Sequence, residues 1–300
     1  MSAPHPQMRD ILQELEAASP PNPETLPIAE ARANFVCVNE KWNAPLPPMP
    51  SRDIVVGGIG CRLLCPEGAK GLIVFVHGGG WTFGNPATHE RFARLLARLA
   101  GASVLVPDYR LAPEHPAPAA IVDVLAVLDA LDTVVPQNTP VAMCGDSAGA
   151  TIALAAALER PARPIAMLSL LYGCFAPIFD TASHLRNGDG RYGLTTSRMR
   201  WYWTNWLGPL QDRRAAPLQA DLSGLPPCHL VAAALDPLCD DSLLLAGRLA
   251  EAGVATRLDL VPGVVHGFLQ MTQRLAPAML ATEKIAAELA ASLQDKLIQK

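Results

Sequence analysis

Charged residues are scarce in this 300-residue chain, and they form no cluster of one sign. Asp, Glu, Lys and Arg make up 17% of the residues, and 24 basic against 28 acidic side chains give a net charge of −4 at pH 7. A protein that follows a nucleic-acid backbone needs a basic stripe, whereas the Lys and Arg residues here are scattered. The composition therefore argues against nucleic acid as a partner.

Long apolar runs are also missing. Residues 1–20 contain no apolar stretch behind a basic segment, so a standard secretory signal is not expected. The best candidate for a membrane span, residues 165–172, stops at Gly173 and suits a buried strand instead. We therefore expect no membrane insertion and a cytoplasmic location.

Cysteines occur without the spacing of a metal site or a disulfide framework. Seven is an odd number, and Cys61 and Cys65 have no second pair that would complete a zinc site. The His and carboxylate residues show no ligand spacing either. The sequence predicts reduced thiols in a cytoplasmic protein, with no metal and no cofactor.

Hydrophobic residues, in contrast, make up half of the chain. They occur in short unbroken runs that alternate with helical patterns, which is typical of a mostly parallel sheet flanked by helices. The predicted strands are an antiparallel pair at 54–56 and 61–64, then 72–76, 103–106, 141–144, 165–171, 229–234 and 256–261. The predicted helices are 86–99, 117–131, 148–158, 241–252 and 277–293. We expect one α/β domain over residues 1–300.

Two segments do not fit this alternation. Residues 177–218 form a long connection between two predicted strands, and one short predicted helix within it carries three tryptophans and a tyrosine at 201–206. A connection of this length inside a compact domain is usually functional. The other segment is the proline-rich N-terminus, in which an amphipathic helix is predicted at 8–18. Both segments are predicted to cover the mouth of a site as a lid.

The motif Gly145-Asp146-Ser147-Ala148-Gly149 follows an apolar strand and opens an alanine-rich helix. A nucleophilic serine at such a turn adopts a strained backbone conformation, and the residues two positions away must be very small. Both flanking positions here are glycine. The motif therefore predicts Ser147 as a nucleophile, with the helix N-terminus adding positive potential where negative charge develops.

A serine hydroxyl needs a base, and in hydrolases with this kind of turn the histidine comes last in the chain. Three histidines follow Ser147. His184 falls in the long connection and His229 inside a predicted strand, so both are interpreted as ordinary polar or core residues. His266 follows the last strand, at the sheet edge where active sites of open parallel sheets collect. The sequence therefore predicts His266 as the base.

The acid that orients this base is expected between the serine and the histidine. Asp236 follows the strand predicted at 229–234, and Pro237 directs it away from helical conformation. Asp240, one helical turn later, is the alternative. An acid at a helix N-terminus is also an ordinary partner of the helix dipole, so Asp236 is preferred.

A second glycine motif, HGGGW at residues 77–81, follows the strand predicted at 72–76. An attacked ester or amide carbonyl develops negative charge on its oxygen, and glycines let backbone N–H groups approach it. The amides of Gly79 and Gly80, with that of Ala148, are predicted to form this oxyanion hole. The sequence does not fix which two glycine amides of 78–80 converge. His77 is expected to shape the loop.

Together these motifs resemble the hormone-sensitive-lipase-like branch of the α/β-hydrolases, the bacterial family IV carboxylesterases. The matching motifs are HGGGW at 77–81, DYRLAPEHP at 108–116, GDSAG at 145–149, DPLCDD at 236–241 and HGF at 266–268. The resemblance covers about residues 53–270. It departs from the family at Cys239-Asp240-Asp241, where relatives often carry Arg-Asp-Glu.

The resemblance implies an α/β-hydrolase fold with a helical cap from about residues 1–45 and 177–218. It implies a serine carboxylesterase with Ser147, Asp236 and His266 as its triad, which hydrolyses short to medium acyl esters of small molecules through an acyl-enzyme. Arg110 and Glu114 are assigned a framework role. An amidase or deacetylase with the same triad is the main alternative, and a non-catalytic receptor is another. Family members occur as monomers or dimers, so a homodimer is left open.

Overall fold

The computed structural model describes residues 3–209 and 212–298. Within these residues the central sheet consists of β1 (Ser51–Val56), β2 (Ile59–Leu64), β3 (Leu72–Val76), β4 (Ser103–Pro107), β5 (Val141–Asp146), β6 (Ile165–Leu171), β7 (Cys228–Ala233) and β8 (Thr256–Val261). The strand order is β1-β2-β4-β3-β5-β6-β7-β8. β2 is antiparallel to both of its neighbours, and the other pairs are parallel.

Helices cover both faces of this sheet. They are α1 (Pro6–Ala18), α2 (Ile28–Asn43), α3 (Glu90–Ala100), α4 (Ala119–Asp129), α5 (Ala148–Leu158), α6 (Ala182–Asn187), α7 (Thr196–Leu207), α8 (Cys239–Glu251) and α9 (Ala276–Ile298). One buried cluster joins the sheet to α4, α5 and α8, and a second joins its other face to α1, α3 and α9. Every residue of β3 and β5 is buried, as expected for central parallel strands. The predicted mostly parallel sheet flanked by helices is confirmed.

The element bounds follow the sequence pattern closely in the sheet and less closely in the helices. Strands predicted at 72–76, 165–171 and 256–261 have those bounds, and the others differ by one to three residues at an end. The predicted helix 86–99 is wrong at its start, which is a 3-10 helix, Pro86–His89, followed by α3. The Asn85 side chain accepts the Ala87 and Thr88 N–H groups and so caps this tight first turn.

The two segments predicted to form a lid both contain helices. The N-terminal segment contains α1 and also α2, a helix that the sequence analysis missed. The connection after β6 contains α6 and α7, and α7 buries Tyr202, Trp203 and Trp206. Residues 1, 2, 210 and 211, which belong to the predicted cap, lie outside the described residues. None of the helices in the described ranges combines the length and the apolar character needed to span a bilayer.

Candidate active site

Ser147 occupies the sharp turn between β5 and α5. Its backbone has φ 53° and ψ −121°, a positive-φ conformation that is rare for a residue with a side chain. A Cβ at Gly149 would overlap the carbonyl of Val76, and a Cβ at Gly145 would overlap the carbonyl of Gly149. Both flanking glycines are therefore required by close backbone packing. The turn places the Ser147 hydroxyl at the carboxyl edge of the sheet, where it lines a cavity.

Of the three residues predicted as a triad, His266 lies within hydrogen-bond distance of both Ser147 and Asp236. His266 Nε2 is 2.9 Å from Ser147 Oγ, and His266 Nδ1 is 2.7 Å from Asp236 Oδ2. Asp236 is completely buried, and its other oxygen accepts the Leu238 N–H at 2.9 Å. Because the buried carboxylate accepts the proton on Nδ1, Nε2 is left free to accept the serine proton.

The electrostatic surroundings of His266 favour its protonated form. Burial by itself lowers the pKa of His266, but the charge of Asp236 and its hydrogen bond, together with the charge of Asp146, outweigh that effect. The net pKa of His266 is therefore raised above that of an ordinary imidazole. An imidazolium at this position is stabilised by the same two carboxylates, those of Asp236 and Asp146.

Esterase activity is expected to fall in mild acid because of this raised pKa. A protonated His266 has no lone pair to accept the serine proton, so the rate declines as pH drops through a pKa above about 6.5. The check is kcat/KM measured from about pH 9 to about pH 4, with the melting temperature followed at each pH. A rate that stays flat to about pH 4 in the folded protein would contradict the assignment of His266 as base.

The glycine motif presents amide groups to the same cavity. The N–H of Gly78 donates to Asp146 Oδ1 at 2.8 Å, so this glycine is already engaged. Gly79 and Gly80 line the cavity, and their N–H groups have no acceptor within the described chain. Ala148 is the first residue of α5, where N–H groups have no intrahelical partner. These contacts leave the predicted set of donors, Gly79, Gly80 and Ala148, available to an oxyanion.

Buried aromatic side chains support this glycine motif from behind. The His77 ring stacks on Tyr109 with centroids 4.3 Å apart, and the Tyr109 hydroxyl donates to the His77 carbonyl at 2.7 Å. Burial, with the nearby His89, lowers the pKa of His77 to about 3. Trp81 has φ 58° and its indole stacks on Trp206 of α7 with centroids 5.2 Å apart. His77 is therefore a neutral structural residue, and α7 holds the strained Trp81 in place.

The alternative acid and the other histidines lie in different surroundings. Asp240 Oδ2 accepts the Ser183 N–H of α6 at 2.7 Å. His184 Nδ1 is 3.0 Å from a Thr196 hydroxyl, and His229 Nε2 is 3.2 Å from an Asp259 oxygen. The structure brings none of the three into the hydrogen-bonded group around Ser147.

The residues assigned to the framework form ion pairs away from the reacting atoms. Arg110 Nη2 lies 2.6 Å from Asp123 Oδ1. Glu114 lies 2.6 Å from Arg32 of α2, which the sequence analysis did not identify. The Arg32 Nε–H also donates to the Thr82 carbonyl at 2.9 Å. Arg32 therefore connects α2 to the end of the glycine motif.

The cavity beside Ser147 has a volume of about 260 Å³. Its apolar lining comes largely from helices outside the sheet layers, namely Leu12 and Leu15 of α1, Phe35 and Trp42 of α2, and Met199 and Tyr202 of α7. Polar side chains missed by the sequence analysis also reach it: Asn39, His89, Arg198 and Gln270. A larger apolar hollow of about 550 Å³ lies between β8 and α9 and contains none of the triad.

The described chain brings no three His, Cys, Asp or Glu side chains together in a way that could hold a metal ion. All seven cysteines fall within the described residues, and none is in a disulfide. Burial raises the pKa of the Cys61 thiol to about 12.

Comparison with known proteins identifies the family. A family profile for the alpha/beta hydrolase fold matches residues 73–270. A hyperthermophilic esterase from the archaeon Pyrobaculum calidifontis is 30% identical, with a TM-score of 0.90 over 96% of this chain and 98% of that one. A thermostable esterase from Pseudomonas putida ECU1011 is 27% identical, with a TM-score of 0.89 over 97% and 98%. The ester-hydrolase EH1AB1 from the Lake Arreo metagenome is 30% identical, with a TM-score of 0.87 over 96% and 98%. The chain therefore belongs to the α/β-hydrolase family, and within it to the hormone-sensitive-lipase-like ester hydrolases that its motifs resemble.

Proposed function

We propose that the protein is a serine carboxylesterase that hydrolyses short to medium acyl esters through an acyl-enzyme. The observation that carries this proposal is the hydrogen-bonded series from Ser147 through His266 to Asp236, beside the Gly79 and Gly80 amides, which have no acceptor among the described residues. A nucleophile, its base, the acid that orients the base and a set of oxyanion donors are the parts that acyl transfer requires.

In the first half-reaction, His266 Nε2 takes the Ser147 proton while Oγ bonds to the ester carbonyl carbon. The carbonyl oxygen becomes negatively charged and accepts the N–H groups of Gly79, Gly80 and Ala148; loss of one donor from such a site costs about 3 kcal/mol at the transition state. The C–O bond to the alcohol then breaks, and the imidazolium gives its proton to the leaving alcohol. The acyl group remains on Ser147.

In the second half-reaction, a water takes the place of the alcohol. His266 removes one proton from this water, and the resulting hydroxide bonds to the acyl carbon. The same amides hold the oxyanion, the bond to Oγ breaks, and the proton returns to Ser147. Asp236 stabilises the imidazolium in both halves and does not itself take the proton.

We further propose that α1, α2, α6 and α7 form a cap that limits substrate size. The support is that side chains of α1, α2 and α7 line the cavity together with Ser147. At about 260 Å³ the cavity is smaller than the sites that usually take drug-sized ligands. Short and medium acyl chains fit this space, and long acyl chains do not.

A series of p-nitrophenyl esters from acetyl to dodecanoyl, set against matched p-nitroanilides, tests the proposal. We expect kcat/KM to be highest at short to medium chain length, to fall steeply at dodecanoyl, and to be far lower for every anilide. Faster turnover of anilides would favour an amidase or deacetylase. A folded protein that turns over neither series and is not labelled by a fluorophosphonate would favour a receptor.

A further inference from the structure

The catalytic cavity contains a buried amide side chain that the proposed mechanism does not use. Gln270 lies in the 3-10 helix Phe268–Met271, immediately after the turn that carries His266. The residue is only 9% exposed and lines the same cavity as Ser147. Its Nε2 is shielded from solvent and has no hydrogen-bond partner in the described residues.

A buried donor without an acceptor is unfavourable, and folded proteins contain few of them. The cavity wall is otherwise largely apolar, with Leu12, Leu15, Trp42 and Met271 among its members. A methionine or leucine at position 270 would suit such a wall without leaving a polar group unpaired. The amide therefore fits a role in which its partner arrives with the ligand.

The polar side chains that reach the cavity from α2 and α7 already have partners. Asn39 Nδ2 donates to the Phe35 carbonyl at 2.8 Å. Arg198 Nη2 donates to Asn22 Oδ1 at 3.4 Å, and its Nε, which makes no hydrogen bond within the described residues, forms an ion pair with Glu24 at 3.8 Å that offsets the guanidinium charge. Gln270 differs from both because it is neutral and its buried Nε2 makes neither a hydrogen bond nor an ion pair within the described residues. A neutral amide also selects a neutral partner, since a carboxylate is better recognised by a cation.

We propose that Gln270 is a specificity-determining residue that donates a hydrogen bond to a second oxygen of the substrate, apart from the ester that is cleaved. This inference rests on the proposed esterase function. The substrate class it names is esters whose acyl or alcohol part carries a neutral oxygen, such as a ketone, an ether or a hydroxyl. A site with a buried donor disfavours the analogue that lacks the acceptor, because the donor is then left unpaired.

The test compares ester pairs that differ by one oxygen, in the wild type and in Gln270→Met. The acyl pair is p-nitrophenyl 4-oxopentanoate and p-nitrophenyl pentanoate, and the alcohol pair is 2-methoxyethyl acetate and butyl acetate. The kcat/KM of each ester is divided by the rate constant of its alkaline hydrolysis, which removes differences in intrinsic reactivity between the esters. In the wild type we expect kcat/KM to favour the oxygenated member of one pair. In Gln270→Met we expect that preference to fall by about tenfold, the value of one hydrogen bond.

Two further variants test whether the preference depends on the position and on the donor of the Gln270 amide. Gln294→Met makes the same change on the exposed surface of α9 and should keep the wild-type preference. Gln270→Glu keeps the size but replaces the donor by an acceptor, so it should favour a hydroxy ester over the ether and the ketone. If Gln270→Met does not fold, the wild-type preference and Gln270→Glu still decide the matter.

Equal normalised rates for both members of both pairs in the wild type would overturn the inference. So would a preference that survives unchanged in folded Gln270→Met, which would mean that the amide only holds a water. Failure of the esterase proposal looks different: a receptor would hydrolyse none of these esters and would not react with a fluorophosphonate, and an amidase would turn over the matched anilides faster than the esters.

Discussion

Replacing Ser147 by alanine is expected to lower kcat for ester substrates by about 10⁶-fold, the loss seen when a serine protease with a triad of the same geometry loses its nucleophile. Without Oγ no acyl-enzyme can form, and the oxyanion amides retain only a small residual effect. Initial rates with p-nitrophenyl butyrate measure the loss. Labelling by a fluorophosphonate probe should disappear at the same time, since the probe bonds to the same oxygen.

The matched control is Ser223→Ala, which removes a hydroxyl from an exposed loop. This variant should keep both activity and labelling. The melting temperature of Ser147→Ala should remain close to that of the wild type, because alanine and serine share the cost of a positive φ. A folded Ser147→Ala protein that is still labelled would show that another residue is the nucleophile.

Replacing Asp236 by asparagine is expected to lower kcat by about 10⁴-fold with little change in KM. The asparagine amide would donate to His266 Nδ1, so the ring would carry its proton on Nε2 and could not accept the serine proton. The pH profile gives an independent readout. Because the charge and hydrogen bond of Asp236 help to raise the pKa of His266, the acid limb of the residual activity should move to lower pH.

The variant Asp240→Asn tests which of the two candidate acids, Asp236 or Asp240, orients His266. Asp240 accepts the Ser183 N–H and makes no hydrogen bond with His266. Asp240→Asn should therefore lower kcat far less than Asp236→Asn does. The acid limb of its pH profile should stay at the wild-type pH. If instead Asp240→Asn reproduced the large loss of kcat and Asp236→Asn did not, the assignment of the orienting acid would be reversed.

The residues brought together around Ser147 were predictable because the fold places them by simple rules. Ser147, Asp236 and His266 each follow a strand, and the ends of parallel strands meet at one edge of the sheet. Short apolar runs located those strands to within a few residues. Which glycine amides stay free was not predictable, since this depends on the contact between Gly78 and Asp146, 68 positions apart in the chain.

The helix α2 illustrates a signal that was present and missed. Apolar residues occur at 28, 31, 35, 38 and 42, a helical spacing, in a segment that prolines bracket on both sides. Its Arg32 could not have been identified by pattern, because its partners Thr82 and Glu114 lie 50 and 82 positions further along the chain. Gln270 likewise has no motif. What distinguishes it is a neutral side chain in the cavity lining whose buried Nε2 has no partner within the described residues.

The stack of Trp81 on Trp206 couples the rate of bond cleavage to the choice of substrate. The indole that fixes the shape of the amide-bearing turn is held by the same helix that contributes Met199 and Tyr202 to the substrate cavity. Grafting the segment between β6 and β7 from a relative would thus disturb the rate of bond cleavage along with the choice of substrate. Substitutions in α1, whose Leu12 and Leu15 line the cavity but pack on the other buried cluster from the one that holds Trp81 and Trp206, offer a route to altered selectivity at preserved turnover.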